Sequence, residues 1–291
     1  MKTKELRNLY IRLSELNNSF THYSFVWNQF NIDYFETIKA NPDELTKDYF
    51  DSNPYKRKHN IKLKDLFNEH SKTDTTLIQG IFLLIYSHFE GYLKSVFQFS
   101  QKIDETIETF ESKIDDVELD SILLDKVFNR LSIDKNKLDS QLIDTLDYFR
   151  LKRNRLIHQN SESISKTLNQ IIKSKGEQLN KFWDSILPSH RQGIDFSDKL
   201  VANNLNFSIV IDTLNIFRKV AADIDSCIID KLTVIKIAEK HIIPEFVDEQ
   251  YKKIKHLKIE RKVSKFIRYC DTEFSLVTSD EIIKLLKSSI A

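Results

Sequence analysis

Leu142-Ile143-Asp144-Thr145-Leu146-Asp147-Tyr148-Phe149-Arg150-Leu151-Lys152-Arg153-Asn154-Arg155-Leu156-Ile157-His158 reads as an amphipathic helix with a charge set into its apolar stripe. Projected at about 100° per residue, Leu142, Leu146, Phe149, Leu156 and Ile157 fall within about 40–60° of Arg153, so the guanidinium stands where a leucine is expected. A guanidinium cannot shed its proton to escape desolvation, so it must meet a carboxylate, backbone carbonyls or a bound anion such as phosphate. Lys152 and Arg155 project to the opposite side and read as solvated charges. Asn154 and His158 lie one turn apart on one flank, with His158 about 140° from Arg153. The two motif side chains therefore converge only if Arg153 reaches around or the helix ends near Gln159-Asn160-Ser161, a polar cluster without apolar period. An imidazole that titrates near neutral pH beside a fixed cation is suited to moving a proton at a phosphodiester.

Composition sets the class around that helix. Four glycines and four prolines in 291 residues are far below the ordinary usage of about 7% and 5%, which removes most of the turn chemistry that many short strands need. The chain is expected to be all-α, with one main domain over residues 1–240 and a basic C-terminal extension or small appended domain over 241–291. Forty-four basic residues against 43 acidic ones give no net-charge argument for nucleic acid, so any RNA contact must come from local patches. Lys56-Arg57-Lys58-His59 beside Tyr55, followed by Lys62 and Lys64, is one such patch. The stretch from Lys252 to Arg268, with nine basic or histidine side chains opposed by Glu260, is another. Each reads either as a phosphate-contacting surface or as ordinary solvated charge.

Cys227 and Cys270 are too far apart for a Cys-x-x-Cys site and read as reduced core thiols. The start lacks an apolar signal core, and Ile81 to Tyr86 is far short of the roughly 20 residues that span a bilayer. A soluble, cytoplasmic chain without membrane contact is expected.

Along the chain, residues 4–39 read as one long aromatic-rich helix ending before Asn41-Pro42. Residues 43–72 read as short helical pieces and a basic loop. Thr73-Asp74-Thr75-Thr76 offers N-caps for a helix over about 75–103. A short helix is expected at 119–131, the motif helix at 137–158, and further helices at 161–184 and 205–239. Beyond Pro244 come a basic helix to about 268, an extended piece at Glu273-Phe274-Ser275-Leu276-Val277, and a last helix from Ser279-Asp280-Glu281. In the second long helix Ile78, Ile85, Phe89, Tyr92 and Val96 form the stripe, with Glu90 and Lys94 outside its centre. The latter two are either an i,i+4 surface pair or a support in which Glu90 holds the Arg153 guanidinium. Gly91 between them costs helix propensity and suggests close approach of another backbone, such as a dimer mate.

Two stretches carry a resemblance. Arg153-Asn154-Arg155-Leu156-Ile157-His158 resembles the R-x4-6-H signature of the HEPN superfamily. Leu83 to Lys94, with its aromatic-Glu-Gly-aromatic-x-Lys core at Phe89-Glu90-Gly91-Tyr92-Leu93-Lys94, resembles the second helix of the MAE-type HEPN-like nucleases. The likeness covers roughly residues 1–230. It implies a HEPN-like bundle of long antiparallel helices and a metal-independent endoribonuclease acting as a homodimer on RNA, tRNA or mRNA included, in a toxin-antitoxin or antiviral defence setting, with a possible antitoxin or defence partner. It implies that Arg153 stabilises the pentacoordinate phosphate, that His158 is the general acid or base, and that Asn154 orients or binds. Glu90 and Lys94 would support the site, while Lys56, Arg57, Lys58 and Arg155 would hold RNA. Some HEPN toxins carry a tyrosine two residues after the histidine as a modification site; Asn160 stands there here, which removes that route of regulation.

Other chemistry is poorly served. His22, His59, His70, His88, His190, His241 and His256 show no His-x-x-x-His spacing, so neither a metal nor another cofactor is expected. So few glycines exclude a phosphate loop of the P-loop or Rossmann type. His88 is either structural or close to the site. A non-catalytic RNA- or nucleotide-binding module is the alternative to the nuclease, and a helical interaction subunit with a structural arginine is a third reading.

Overall fold

The computed structural model describes residues 1–110, 122–158, 164–189 and 193–290, with His158 described by its backbone alone. Among the described residues every regular element is helical, and one isolated bridge, Leu45 to Lys62, is the extent of strand pairing. The chain is all-α, as its scarcity of turn residues requires.

Helix α1 (Lys4–Ala40) starts at Thr3, whose hydroxyl accepts the Leu6 N–H at 3.1 Å, the usual way to satisfy an orphan donor of the first turn. It stops where Pro42 pushes the preceding residue out of helical conformation, and Asn41 Nδ2 donates to the Thr37 carbonyl at 3.0 Å. After the short α2 (Thr46–Tyr49), α3 runs Leu66–Ile103 and begins well before the expected threonine caps. Thr73, Thr75 and Thr76 instead donate to the carbonyls four residues back at 2.9, 2.9 and 3.0 Å. A threonine hydroxyl can satisfy itself inside a helix in this way, so a run of them does not mark a start.

Helices α4 (Leu123–Arg130), α5 (Ser140–His158) and α6 (Lys166–Ile186) follow. The first part of the expected 119–131 helix and the start of the expected 161–184 helix lie outside the described residues. Helices α7 (Lys199–Asn203) and α8 (Phe207–Leu232) precede Thr233, whose φ of 64° breaks the expected 205–239 helix. Its hydroxyl caps the next segment. That segment, α9 over 234–254, passes through Pro244 without stopping. Two stretches of π-helix, Ala238–Ile242 and Val247–Tyr251, flank the proline, and the Ile243 N–H bonds to the Ala238 carbonyl, five residues back. A ladder widened on both sides accommodates a ring that has no N–H to give. Helices α10 (Ile259–Phe274) and α11 (Asp280–Ile290) complete the chain. Where an extended piece was expected at 273–277, Glu273 and Phe274 are helical. Ser275, at φ 47°, closes the helix, and the Leu276 N–H bonds back to the Cys270 carbonyl at 3.1 Å, a left-handed helix end.

By compactness the chain forms two units. The first holds Met1–Arg12, Tyr86–Asp147 and Asn215–Ala291; the second holds Leu13–Ile85 and Tyr148–Leu214. Residues 241–291 thus belong with the first unit. Its centre includes Asp225, 1% exposed, which accepts from Thr3 N at 3.0 Å, Thr3 Oγ1 at 2.5 Å and Tyr92 Oη at 3.3 Å. The tail is tied in through Glu245, which takes a hydrogen bond from Tyr269 at 2.7 Å, ion pairs with Lys4 and lies 3.2 Å from His241 Nε2. Phe246 meets Phe266 edge-on at 5.1 Å.

The second unit is built on aromatic packing. Tyr148 lies 4.9 Å from Phe196, Phe82 lies 6.1 Å from Phe149, and Phe20 stacks on Phe207 at 4.7 Å. Each such ring taken out of water contributes about 1.5–3 kcal/mol. Asp212 holds the connection before α7, accepting from the Gly193 and Ile194 amides at 2.7 and 2.8 Å. Both cysteines are free and buried, and burial pushes the Cys270 thiol up to about 12. No helix among the described residues is long and apolar enough to cross a membrane.

Candidate functional site

The buried face of α5 consists of Leu142, Thr145, Leu146, Tyr148, Phe149 and Lys152. A projection that counts only aliphatic and phenyl side chains leaves out Thr145 and Tyr148. Including them turns the centre of the stripe by about 25° away from Arg153 and toward Lys152. Two expectations are corrected on that account. Lys152 is not a solvated charge: it is 1% exposed. Arg153 is not the core cation: it is half-buried, at the rim of the face.

Lys152 meets the needs foreseen for a buried cation. Its Nζ donates to the carbonyls of Val201 at 2.6 Å and Asn204 at 3.0 Å, at the end of α7. It also stands 6.0 Å from the centre of the Phe82 ring. Burial, with the Arg155 charge adding to it, brings its pKa down to about 7. A lysine beside a run of motif residues gave no signal of this, because its partners are backbone oxygens some fifty positions away.

Arg153 Nη1 donates to Asn154 Oδ1 at 3.2 Å. The first two motif residues are therefore joined, and both are half-buried. Arg155, expected in solvent, is half-buried too. Of these three half-buried side chains Arg153 and Arg155 carry positive charge, and the Arg155 Nη1 atom is itself buried. His158 is the last helical residue of α5; its side chain, and Gln159 and Asn160 after it, lie outside the described residues, as does His190.

Glu90 is half-buried and Lys94 exposed, both in the first unit, whereas Arg153 belongs to the second. No salt bridge joins Glu90 to Lys94 among the described residues; Lys94 lines a shallow cavity with Phe97, Gln101 and Phe110. A Cβ at Gly91 would meet no atom within 4 Å among the described residues, so among them the glycine does not serve close packing. It lies with His88 on a cavity of about 320 Å³ that Glu5, Arg12, Ser95 and Lys102 also line. Burial raises the Glu5 carboxyl above its ordinary range, and its Oε2 has no hydrogen-bond partner among the described residues.

Arg57 and Lys58 are exposed and Lys56 half-buried. Asn53 Oδ1 accepts the Tyr55 N–H at 2.8 Å, so the side chain shapes the turn that presents the basic residues. Lys62 and Lys64 are drawn to Asp43, at 3.2 and 2.9 Å, and add little free charge. In the C-terminal basic stretch Lys252, Lys253, Lys255, Lys258, Arg261, Lys265 and Arg268 are all exposed. Among the described residues no three His, Cys, Asp or Glu side chains are grouped to hold a metal ion. Comparison with known proteins finds no matching family model, no matching curated protein and no matching solved structure.

Proposed function

We propose that this chain is a metal-independent endoribonuclease of HEPN type whose site is built on Arg153, Asn154 and His158. The observation that carries the reading is the Arg153–Asn154 hydrogen bond on the last two turns of a helix whose final residue is His158. A half-exposed guanidinium, steadied by its neighbour, can be approached by a phosphate, as a fully buried one could not. The charges of Arg153 and Arg155, two residues apart, also bias this end of the helix toward anions.

The reaction follows from the side chains. One His158 takes the proton of a ribose 2′-hydroxyl, whose oxygen attacks the adjacent phosphorus. The bond to the 5′-oxygen breaks, and the partner's His158 gives that oxygen a proton. Arg153 from each protomer offsets the charge of the pentacoordinate phosphate. The products are a 2′,3′-cyclic phosphate and a 5′-hydroxyl end. A homodimer supplies the two motifs, and a toxin or antiviral defence role is the biological setting the resemblance favours.

The deciding experiment incubates the purified dimer with total RNA and with tRNA in excess EDTA. The parent chain is expected to cut, and His158→Ala is expected to remain dimeric and leave RNA intact. Equal cutting by both would overturn the mechanism. Binding without cutting by the parent would favour the non-catalytic module.

A further inference from the structure

We propose that the second unit holds a separate binding pocket for one unpaired base of single-stranded RNA, with the loop Lys56-Arg57-Lys58 on the flanking phosphates. It goes beyond the cleavage reading and stands whether or not the chain cuts RNA.

The pocket is a cavity of about 330 Å³ with Trp27, Phe30, Phe50, Tyr55, Lys56 and His59 among its lining residues. Its size sits at the low end of the roughly 300–1,000 Å³ typical of small-ligand sites. Its aromatic wall is preassembled, with Trp27 against Phe30 at 5.1 Å and Phe30 against Phe50 at 5.9 Å. His70 covers the back of the Trp27 indole at 3.4 Å. Tyr55 differs from these rings. It is 66% exposed, its backbone is fixed by Asn53, and its ring stacks on no other ring among the described residues. A large aromatic surface held out in water on a turn that Asn53 shapes is an unfilled stacking platform.

Charge chooses among possible occupants. Among the described residues no acidic side chain lines the cavity, so a cationic ligand finds no counter-charge from them. Lys56 is anchored by its hydrogen bond to the Asp51 carbonyl, which leaves its charge uncancelled. Arg57 and Lys58 make no ion pair among the described residues, in contrast to Lys62 and Lys64 on Asp43. Three adjacent cations beside an aromatic slot match the alternation of base and phosphate along one strand. In a duplex the bases are stacked and cannot enter, so unpaired RNA is the form that fits.

The chain has two tryptophans, and Trp183 is fully buried, so emission changes on titration report on Trp27. The test titrates full-length His158→Ala protein, which removes cleavage, with an oligouridine of about twelve nucleotides and with a duplex of the same length. Saturable quenching by the single strand and at least tenfold weaker binding of the duplex are expected. Tyr55→Ala, an exposed site whose loss does not endanger folding, should weaken single-strand binding by about tenfold or more. Lys56→Ala/Arg57→Ala/Lys58→Ala should weaken it and flatten its salt dependence. No quenching, equal affinity for duplex, or an unaltered Tyr55→Ala would overturn the proposal. So would a fluorescence change on raising protein concentration alone that RNA does not reverse, which would assign the pocket to a second copy of the chain. Cleavage by the parent chain is read separately, so a failed pocket and a failed nuclease site give different results.

Discussion

Lys152 Nζ lies 2.6 Å from the carbonyl oxygen of Val201, and a second carbonyl, that of Asn204, completes its surroundings at 3.0 Å. A neutral amine has two N–H groups and needs no more acceptors than these two, so losing the proton leaves both bonds in place.

That arrangement predicts a pH effect on stability. The folded-state pKa, about 7, lies below the ordinary value of 10.5. Between those two values the unfolded chain holds a proton that the folded chain does not, so stability should rise with pH, by up to about 1.4 kcal/mol per pH unit, and be lost as pH falls toward 7. Urea unfolding at pH 7 and about pH 9.5 should show this rise in the parent chain and not in Lys152→Met. Parallel pH profiles for the two would show that Lys152 keeps its charge when folded.

Arg153 and Lys152 are neighbours with opposite duties, which mutation should separate. Replacing the rim guanidinium in Arg153→Ala should lower RNA cleavage by about 10²–10³-fold and leave unfolding within about 0.5 kcal/mol of the parent. Lys152→Ala should do the reverse in stability, costing about 1–3 kcal/mol for each backbone carbonyl left unmet. Thermal unfolding beside a cleavage assay distinguishes them.

Glycines on two helices should respond in opposite senses. At Gly176 a Cβ would stand 2.6 Å from Ser197 Cα and 2.7 Å from the Phe196 carbonyl oxygen, atoms of a backbone that cannot step aside. Gly176→Ala should therefore cost about 1–3 kcal/mol. Gly91→Ala meets open space and should raise stability by about 0.5–1 kcal/mol through helix propensity alone. Calorimetric Tm values falling for the first and rising for the second are the expected result; a fall at Gly91 would reveal that another surface approaches it.

Asp225 gathers three donors in a buried site, two from Thr3 and one from Tyr92. Asp225→Ala should cost about 2–4 kcal/mol because the two Thr3 donors lose their acceptor out of reach of water, while Tyr92 keeps the Ala221 carbonyl at 3.2 Å. Thr3→Ala, which removes the α1 cap, should cost about 1 kcal/mol. In the double variant the losses should fall short of their sum, since the residues share one network; full additivity would argue that they act separately.

Much of the fold was legible in the chain because helix ends and stripes are written locally. The stop at Asn41-Pro42 needed only the steric rule for residues before proline, and the end of α3 at Ile103 only the loss of apolar period. Positions 73–76 misled, since threonine satisfies a helix interior as well as a helix start. Pro244 misled for a related reason: its cost was absorbed by two π-helical stretches rather than by a break. At the candidate site the motif residues were found by pattern, and their pairing through Arg153 and Asn154 is a local contact between neighbours. The buried lysine, the Glu5 cavity and the aromatic pocket were not legible, because each is assembled from segments distant in sequence.

By itself the sequence determined an all-helical chain, with few glycines to form strand turns and apolar residues spaced to give each long helix a buried stripe. Tertiary structure decided which of two adjacent cations the α5 stripe would bury. Lys152 and Arg153 stand on either side of the stripe's centre, and local spacing ranks them almost equally. The choice fell to Lys152 because Thr145 and Tyr148 are buried beside it and two backbone carbonyls from α7 and its end are in reach. A flexible amine that can give up its proton fits those two oxygens, and a guanidinium with five donors would have left several of them unmet.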